Sequence, residues 1–120
     1  MNGNNIILEP TVIINEIASY FKITPEAVIT TRRYGKSIKA KHIAMFCCKQ
    51  FTNLSLRRIG MNFSNKAHCD VLYAIKSVKN QSNIYRTYNK QLNEILEKLK
   101  LKDEEIQLEN KYRNYDTDKI

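Results

Sequence analysis

Glycine, proline and tryptophan are scarce or missing: the 120 residues include three glycines, two prolines and no tryptophan. With glycine only at Gly3, Gly35 and Gly60, no G-x-x-x-x-G-K loop can be written, which excludes that cradle for nucleotide phosphates. Cysteine is equally limited. Cys47, Cys48 and Cys69 are odd in number, two of them are adjacent, and no Cys-x-x-Cys pair occurs. That pattern argues against a disulfide framework of the secreted type and against a zinc site. Apolar runs are short as well, the longest being residues 43–48, where crossing a bilayer takes ~20. No charged-then-apolar leader opens the sequence. The expectation is a reduced, cytoplasmic protein with no membrane contact, no metal, no nucleotide and no cofactor.

Acidic residues are absent from a long internal stretch. Residues 27–69 carry no carboxylate, while Arg32, Arg33, Lys36, Lys39, Lys41, Lys49, Arg57, Arg58 and Lys66 all fall inside it. The whole chain holds twenty Lys plus Arg against twelve Asp plus Glu, a formal net charge of +8. A solvated face normally mixes signs. A one-signed stretch therefore reads as the electrostatic footprint of a polyanion, nucleic acid above all. With 42% hydrophobic residues, the chain is one domain's worth and is not expected to be disordered throughout.

Apolar spacing is helical along the chain, with no strand pattern, internal repeat or second core. Val12, Ile13, Ile14, Ile17, Ala18 and Phe21 predict a first helix. Thr24-Pro25-Glu26 predicts the start of a short second one, with Thr as N-cap, Pro at the first helical position and Glu in the first turn. Residues 32–37 read as a basic loop around Gly35. Ser37 can cap a third helix over 38–52, with Ile43, Phe46, Cys47 and Phe51 inward and Lys39, Lys41 and Lys49 outside. Ser55 caps a short fourth helix holding Leu56, Ile59 and Phe63. Ser64-Asn65 marks a turn and offers caps to a fifth helix over 66–79, whose inner stripe is His68 or Val71, Leu72, Ile75 and Val78.

A last helix over 84–101 carries Tyr85, Tyr88, Leu92, Ile95 and Leu99 at heptad-like spacing. That stripe either packs on the rest of the domain, the preferred reading, or pairs with a second copy as a short coil through residues 84–101, a homodimer. The expected fold class is all-α, a six-helix bundle with an embedded helix-turn-helix and an extended C-terminal helix. Its organisation is a frayed leader (1–8), a DNA-binding domain (9–82), a C-terminal helix (83–101) and a polar tail (102–120).

A short helix, a turn and a longer helix inside a basic segment have the order of a helix-turn-helix. The major groove of B-form DNA admits one α-helix, whose N-terminal residues then reach base edges. Flanking Lys and Arg bind phosphates and fix register without reading sequence. Lys66, His68, Cys69, Asp70 and Tyr73 would stand near the start of that second helix.

The run Thr52-Asn53-Leu54-Ser55-Leu56-Arg57-Arg58-Ile59-Gly60 is similar to the Thr-Asn-x-Ser-Leu-x-x-Ile-Gly run of the C-terminal domain of the bacterial DnaA replication initiators. Phe63, then His68, Val71, Leu72 and Ala74, fit the following Asp-His-Thr-Thr-Val-Leu-His-Ala signature without a gap. Arg32-Arg33, Ala44-Met45 and Lys49 also keep register, so the resemblance spans residues 11–79 and is most specific over 52–74. It implies a six-helix domain that binds double-stranded DNA at a short A/T-rich site, the DnaA box. It further implies that Arg33 enters the minor groove, where a narrow A/T tract attracts Arg. By the same carry-over Lys41 and His42 stand at the start of the long helix, Lys49 and Arg57 near the backbone, and His68, Cys69 and Asp70 at the reading edge. Lys39, Arg58 and Lys66 join the expected backbone contacts. The departure is at Ala67-His68-Cys69-Asp70, where the signature has Asp-His-Thr-Thr. An Asp at the groove can accept from cytosine N4 and repels phosphate, so an altered target sequence is expected.

Other chemistries fit the same residues less well. Adjacent His68, Cys69 and Asp70 point different ways around a helix and have no second ligand cluster, which argues against a metal site or a nucleophile. His42 is equally a solvent-exposed helix residue or a DNA contact. The function expected is sequence-specific duplex DNA binding by a small non-enzymatic module in replication or transcription control. The alternative is an interaction or decoy protein, or a non-specific nucleic-acid binder that has lost DnaA-box specificity.

Overall fold

Each helix starts and stops for a local chemical reason. The computed structural model describes residues 8–30 and 35–119, with side chains as far as Lys102 apart from Lys36. Pro10, whose missing N–H would be unpaired in any case, opens α1 (Pro10–Phe21), and Lys22 closes it in the left-handed region, its N–H turned back to Ala18 and Ser19. Thr24 caps α2 (Pro25–Thr30) as expected, its hydroxyl accepting from Ala27 N–H at 3.1 Å. α3 spans Gly35–Phe51, starting earlier than expected. Gly35, with φ +57°, opens the helix, so Ser37 lies inside the first turn and is not its cap. Residues 31–34, which hold Arg32 and Arg33, lie outside the described residues.

The link from α3 to α4 is made by one buried threonine. Thr52 Oγ1 donates to Cys48 O at 2.6 Å and accepts from Leu54 N–H at 3.2 Å. Ser55 then caps α4 (Leu56–Met61) by accepting from Arg58 N–H at 3.2 Å. The first and fourth residues of the Thr-Asn-Leu-Ser run thus both act on the backbone.

α5 spans His68–Ile84 and α6 spans Arg86–Lys119, so among the described residues there are six helices and no strand. Neither glycine nor proline occurs after Gly60, and nothing stops α5 at Lys79. It runs on through residues 80–84, and the break comes at Tyr85, which is extended. The backbone of α6 likewise stays helical past Leu101 through the segment expected to be a polar tail. That segment holds neither glycine nor proline, and its Lys and Glu residues are favourable in a helix interior.

α3 is the hub. It packs on α1, α2, α4 and α5, and it buries Ala40, Ile43, Ala44, Met45, Cys47 and Cys48 over most of its circumference. Phe46 and Phe51, expected inward, are only partly buried. Lys41, expected outside, is 4% exposed, because it lies between Ile38 and Met45 on the face turned to α5. On α5 the inner stripe is Val71, Ala74, Ile75 and Val78, while Leu72 is 39% exposed and His68 lies on the surface. Leu8, assigned to the leader, belongs to the core, and residues 1–7 lie outside the described residues. Burial raises the Cys48 thiol to about 12 and pushes Cys47 higher still, with the Cys48 charge adding to the latter.

The heptad stripe is occupied within the chain from Tyr88 on, while Tyr85, expected in it, precedes α6 and is exposed. Tyr88, Leu92, Ile95 and Leu99 are buried, with α5 and α1 as the main neighbours. Tyr20 on α1 hydrogen-bonds Glu94, and Lys98 stands 5.5 Å over the Tyr20 ring. The Glu94 carboxylate raises the Tyr20 hydroxyl to about 12, the hydrogen bond contributing most.

Gly60 sets the angle between α4 and α5. A Cβ built there would sit 2.0 Å from Lys66 O and 3.3 Å from Val71 Cγ2. Gly60 O accepts from Phe63 N–H at 3.0 Å and from Lys66 N–H at 2.9 Å, and Ser64 and Asn65 both take left-handed φ, 62° and 58°, to bring the chain round. Gly60→Ala should therefore cost about 3 kcal/mol, a fall in Tm on the order of 10 °C. Gly35→Ala is the control. Nothing lies within 4 Å of its Cβ position, so only the left-handed φ is penalised, at about 1–2 kcal/mol. Thermal melting of both variants checks the order.

Candidate nucleic-acid interface

The first turn of α5 is presented with its N–H groups uncapped by any side chain. Ala67 is the N-cap, in extended geometry (φ −70°, ψ 159°), and it has no side chain able to accept a hydrogen bond. Ser64 and Asn65, expected to supply caps, form the left-handed turn instead. Asp70 falls at the third helical position, where the helix dipole favours a carboxylate. The carboxylate that the DnaA signature places at the cap position is thus found three residues later.

Two clefts meet at this end of α5. One, of about 170 Å³, lies between α3 and α5 and is lined by Ile38, Lys41, His42, Met45, Lys66, Asp70 and Tyr73. The other, of about 400 Å³, lies between α4 and α5 and is lined by Arg57, Met61, Asn65, Lys66, Ala67 and His68. Lys66 is common to both. The fold therefore brings together Lys41, His42, Arg57, Lys66, His68 and Asp70, which the sequence spreads over thirty positions (41 to 70).

The remaining expected residues divide. Lys49, Arg57, Arg58 and Cys69 are exposed, as the expected roles require. Lys41, expected at the DNA backbone, is buried between α3 and α5 and reaches the surface only at the wall of the cleft. Lys39 is directed elsewhere. It hydrogen-bonds Gln91 and its ammonium lies 4.8 Å over the Tyr88 ring, so it ties α3 to α6. Desolvation there lowers its pKa. Arg33 lies outside the described residues.

His42 is half-buried and packs edge-on against Tyr73, with ring centroids 5.9 Å apart. Burial, and then the Lys41 charge, hold its pKa below the usual histidine value. The outer face of α5 also carries Leu72, Tyr73 (66% exposed), Lys76 and Lys79. Lys76 had a legible signal that was passed over: it lies seven residues after Cys69 and four after Leu72, on the same helical face.

A short helix and a longer one joined by a tight turn, with an exposed face on the second and cations beside its start, define a helix-turn-helix protein. The family model for the bacterial DnaA protein helix-turn-helix matches residues 10–78, and the chain belongs to that family. It is a DNA-binding domain. Chromosomal replication initiator proteins DnaA are similar to it. That of Clavibacter sepedonicus is 35% identical over 78% of this chain and 20% of its own length. That of Leifsonia xyli subsp. xyli is 34% identical over 83% of the chain and 21% of its own length. That of Bacteroides thetaiotaomicron is 32% identical over 75% and 19%. The chain thus spans about a fifth of the length of these relatives. Among the described residues no helix is long and apolar enough to cross a membrane, and no cluster of metal-ligating side chains occurs.

Two outcomes follow from the end of α5 and the cleft beside it. Ala67→Asp restores a cap in a backbone already shaped for one, and should stabilise the fold by about 1 kcal/mol in melting experiments at pH 7. The His42 effect appears in the dependence of stability on acid. Because the fold lowers its pKa, the contribution is complete above about pH 6.5 and is lost as pH falls through the depressed value. His42→Gln should flatten that part of the profile of Tm against pH, and an unchanged profile would exclude His42 as its source.

Proposed function

We propose that the chain binds double-stranded DNA with sequence preference, at an A/T-rich site resembling the DnaA box, and acts in replication or transcription control. The observation that carries this is the convergence of Arg57, Lys66 and His68 beside the start of α5, in a groove that no carboxylate lines. α5 enters the major groove with His68 and Cys69 at base edges, while Lys49, Arg58 and Lys66 meet phosphates. Helix N–H groups left free by Ala67 face the same polyanion. Arg33, by the family resemblance, reaches the adjacent minor groove. The similarity to chromosomal replication initiators supports a role at the same kind of site.

Asp70 supports a target different from the family's. Its carboxylate is exposed and lines the α3–α5 cleft, where it repels phosphate and accepts only from amino groups such as cytosine N4. The same charge favours the second reading, a non-specific or decoy binder.

Salt titration against labelled duplex tests the footprint. The log–log slope should be roughly −4 to −5 for about five phosphates neutralised. Lys49→Ala should weaken all duplexes alike and make the slope shallower by about 1. His68→Ala should instead cost about 1–3 kcal/mol of discrimination between sites while leaving Tm in place, since the side chain is on the surface. Tight binding that ignores salt would sink the proposal.

A further inference from the structure

The basic residues around α5 are not equivalent, because Arg57 lines the groove beside His68 and Arg58 does not. Ser55 caps α4 through Arg58 N–H, which places Arg57 at the second helical position. The close approach at Gly60, near the end of α4, then holds this short helix against the chain entering α5. As a result Arg57 and His68 line one groove, of about 400 Å³, between the two helices. Arg58, its neighbour, does not line it. Ala67 contributes only a methyl group to that groove, where the DnaA signature has the longer, acceptor-only Asp.

We propose that Arg57 is a specificity-determining residue that donates both arms of its guanidinium to O6 and N7 of a guanine next to the base met by His68. This rests on the DNA-binding reading above. Three observations support it. Arg57 is exposed and, among the described residues, forms no ion pair, so the fork is free to engage a planar pair of acceptors. No carboxylate lines the groove, since Asp70 lies in the other cleft. The chemistry at this spot is also reversed relative to the signature. An Asp there would select bases that donate, cytosine or adenine, whereas Ala67 beside Arg57 selects the base whose major-groove edge offers two acceptors. The phosphate role first expected for Arg57 is the competing assignment.

Site selection from a random duplex pool, run on the wild type and on Arg57→Ala and Arg57→Gln, tests the inference, with melting to confirm that each variant folds. The wild type should enrich a motif with guanine at one position. Arg57→Ala should lose preference at that position alone, with about a tenfold or larger fall in affinity for the selected site. Arg57→Gln should move the preference there from guanine to adenine, whose N6 and N7 match a carboxamide. A phosphate contact predicts something else: an unchanged motif in both variants, uniformly weaker binding and a shallower salt slope. That result would overturn the assignment and leave duplex recognition standing. A wild type that enriches no motif at all would overturn both together.

Discussion

The contact between Gly60 and the backbone at Lys66 fixes the relation of α4 to α5, and the proposed DNA-binding surface depends on that relation. The carbonyl of Lys66 lies where any other residue at position 60 would place its Cβ. Lys66 N–H and Gly60 O close the same turn from the other side. With α4 held there, Arg57 and His68 line one groove, and the first turn of α5 projects with no side-chain cap. Had the turn been looser, the same cations would have formed a general basic face without a defined reading edge. Phe63, fully buried inside this turn, anchors it to the core.

Much of this was legible because it is local. Thr24 and Ser55 announce helix starts through hydroxyls that reach N–H groups three residues on, and the two positive-φ residues of the α4–α5 turn, Ser64 and Asn65, are small and polar. The buried stripe of α1 follows from spacing alone. The family run from Thr52 to Gly60 could be recognised for the same reason, since its Thr, Ser and Gly each serve a backbone constraint within a few residues.

What escaped depends on distant partners. Lys41 looks like a surface cation until α5 is packed over it. Nothing near Lys39 in sequence announces that Gln91 and Tyr88 will hold it, since the partner lies 52 residues away. α3 is surrounded by neighbours, so its outward and inward faces are poorly separated in the residue pattern. At the site itself, a shift of two residues in the start of α5 turned Ser64 and Asn65 from caps into a turn and gave Asp70 a place in the helix's first turn. The family resemblance gives Arg57 a backbone role, and only the groove distinguishes it from Arg58.

The three cysteines end up in very different surroundings. Cys47 and Cys48 are sealed in α3 and strongly held in the thiol form, while Cys69 stands on the open face of α5. A thiol-directed reagent at neutral pH therefore meets one accessible sulfur on the native protein, and it lies on the face proposed to meet DNA. The molecule carries its own single attachment point for a fluorophore or spin label, placed where docking of a duplex would shield it and where unfolding would reveal two more.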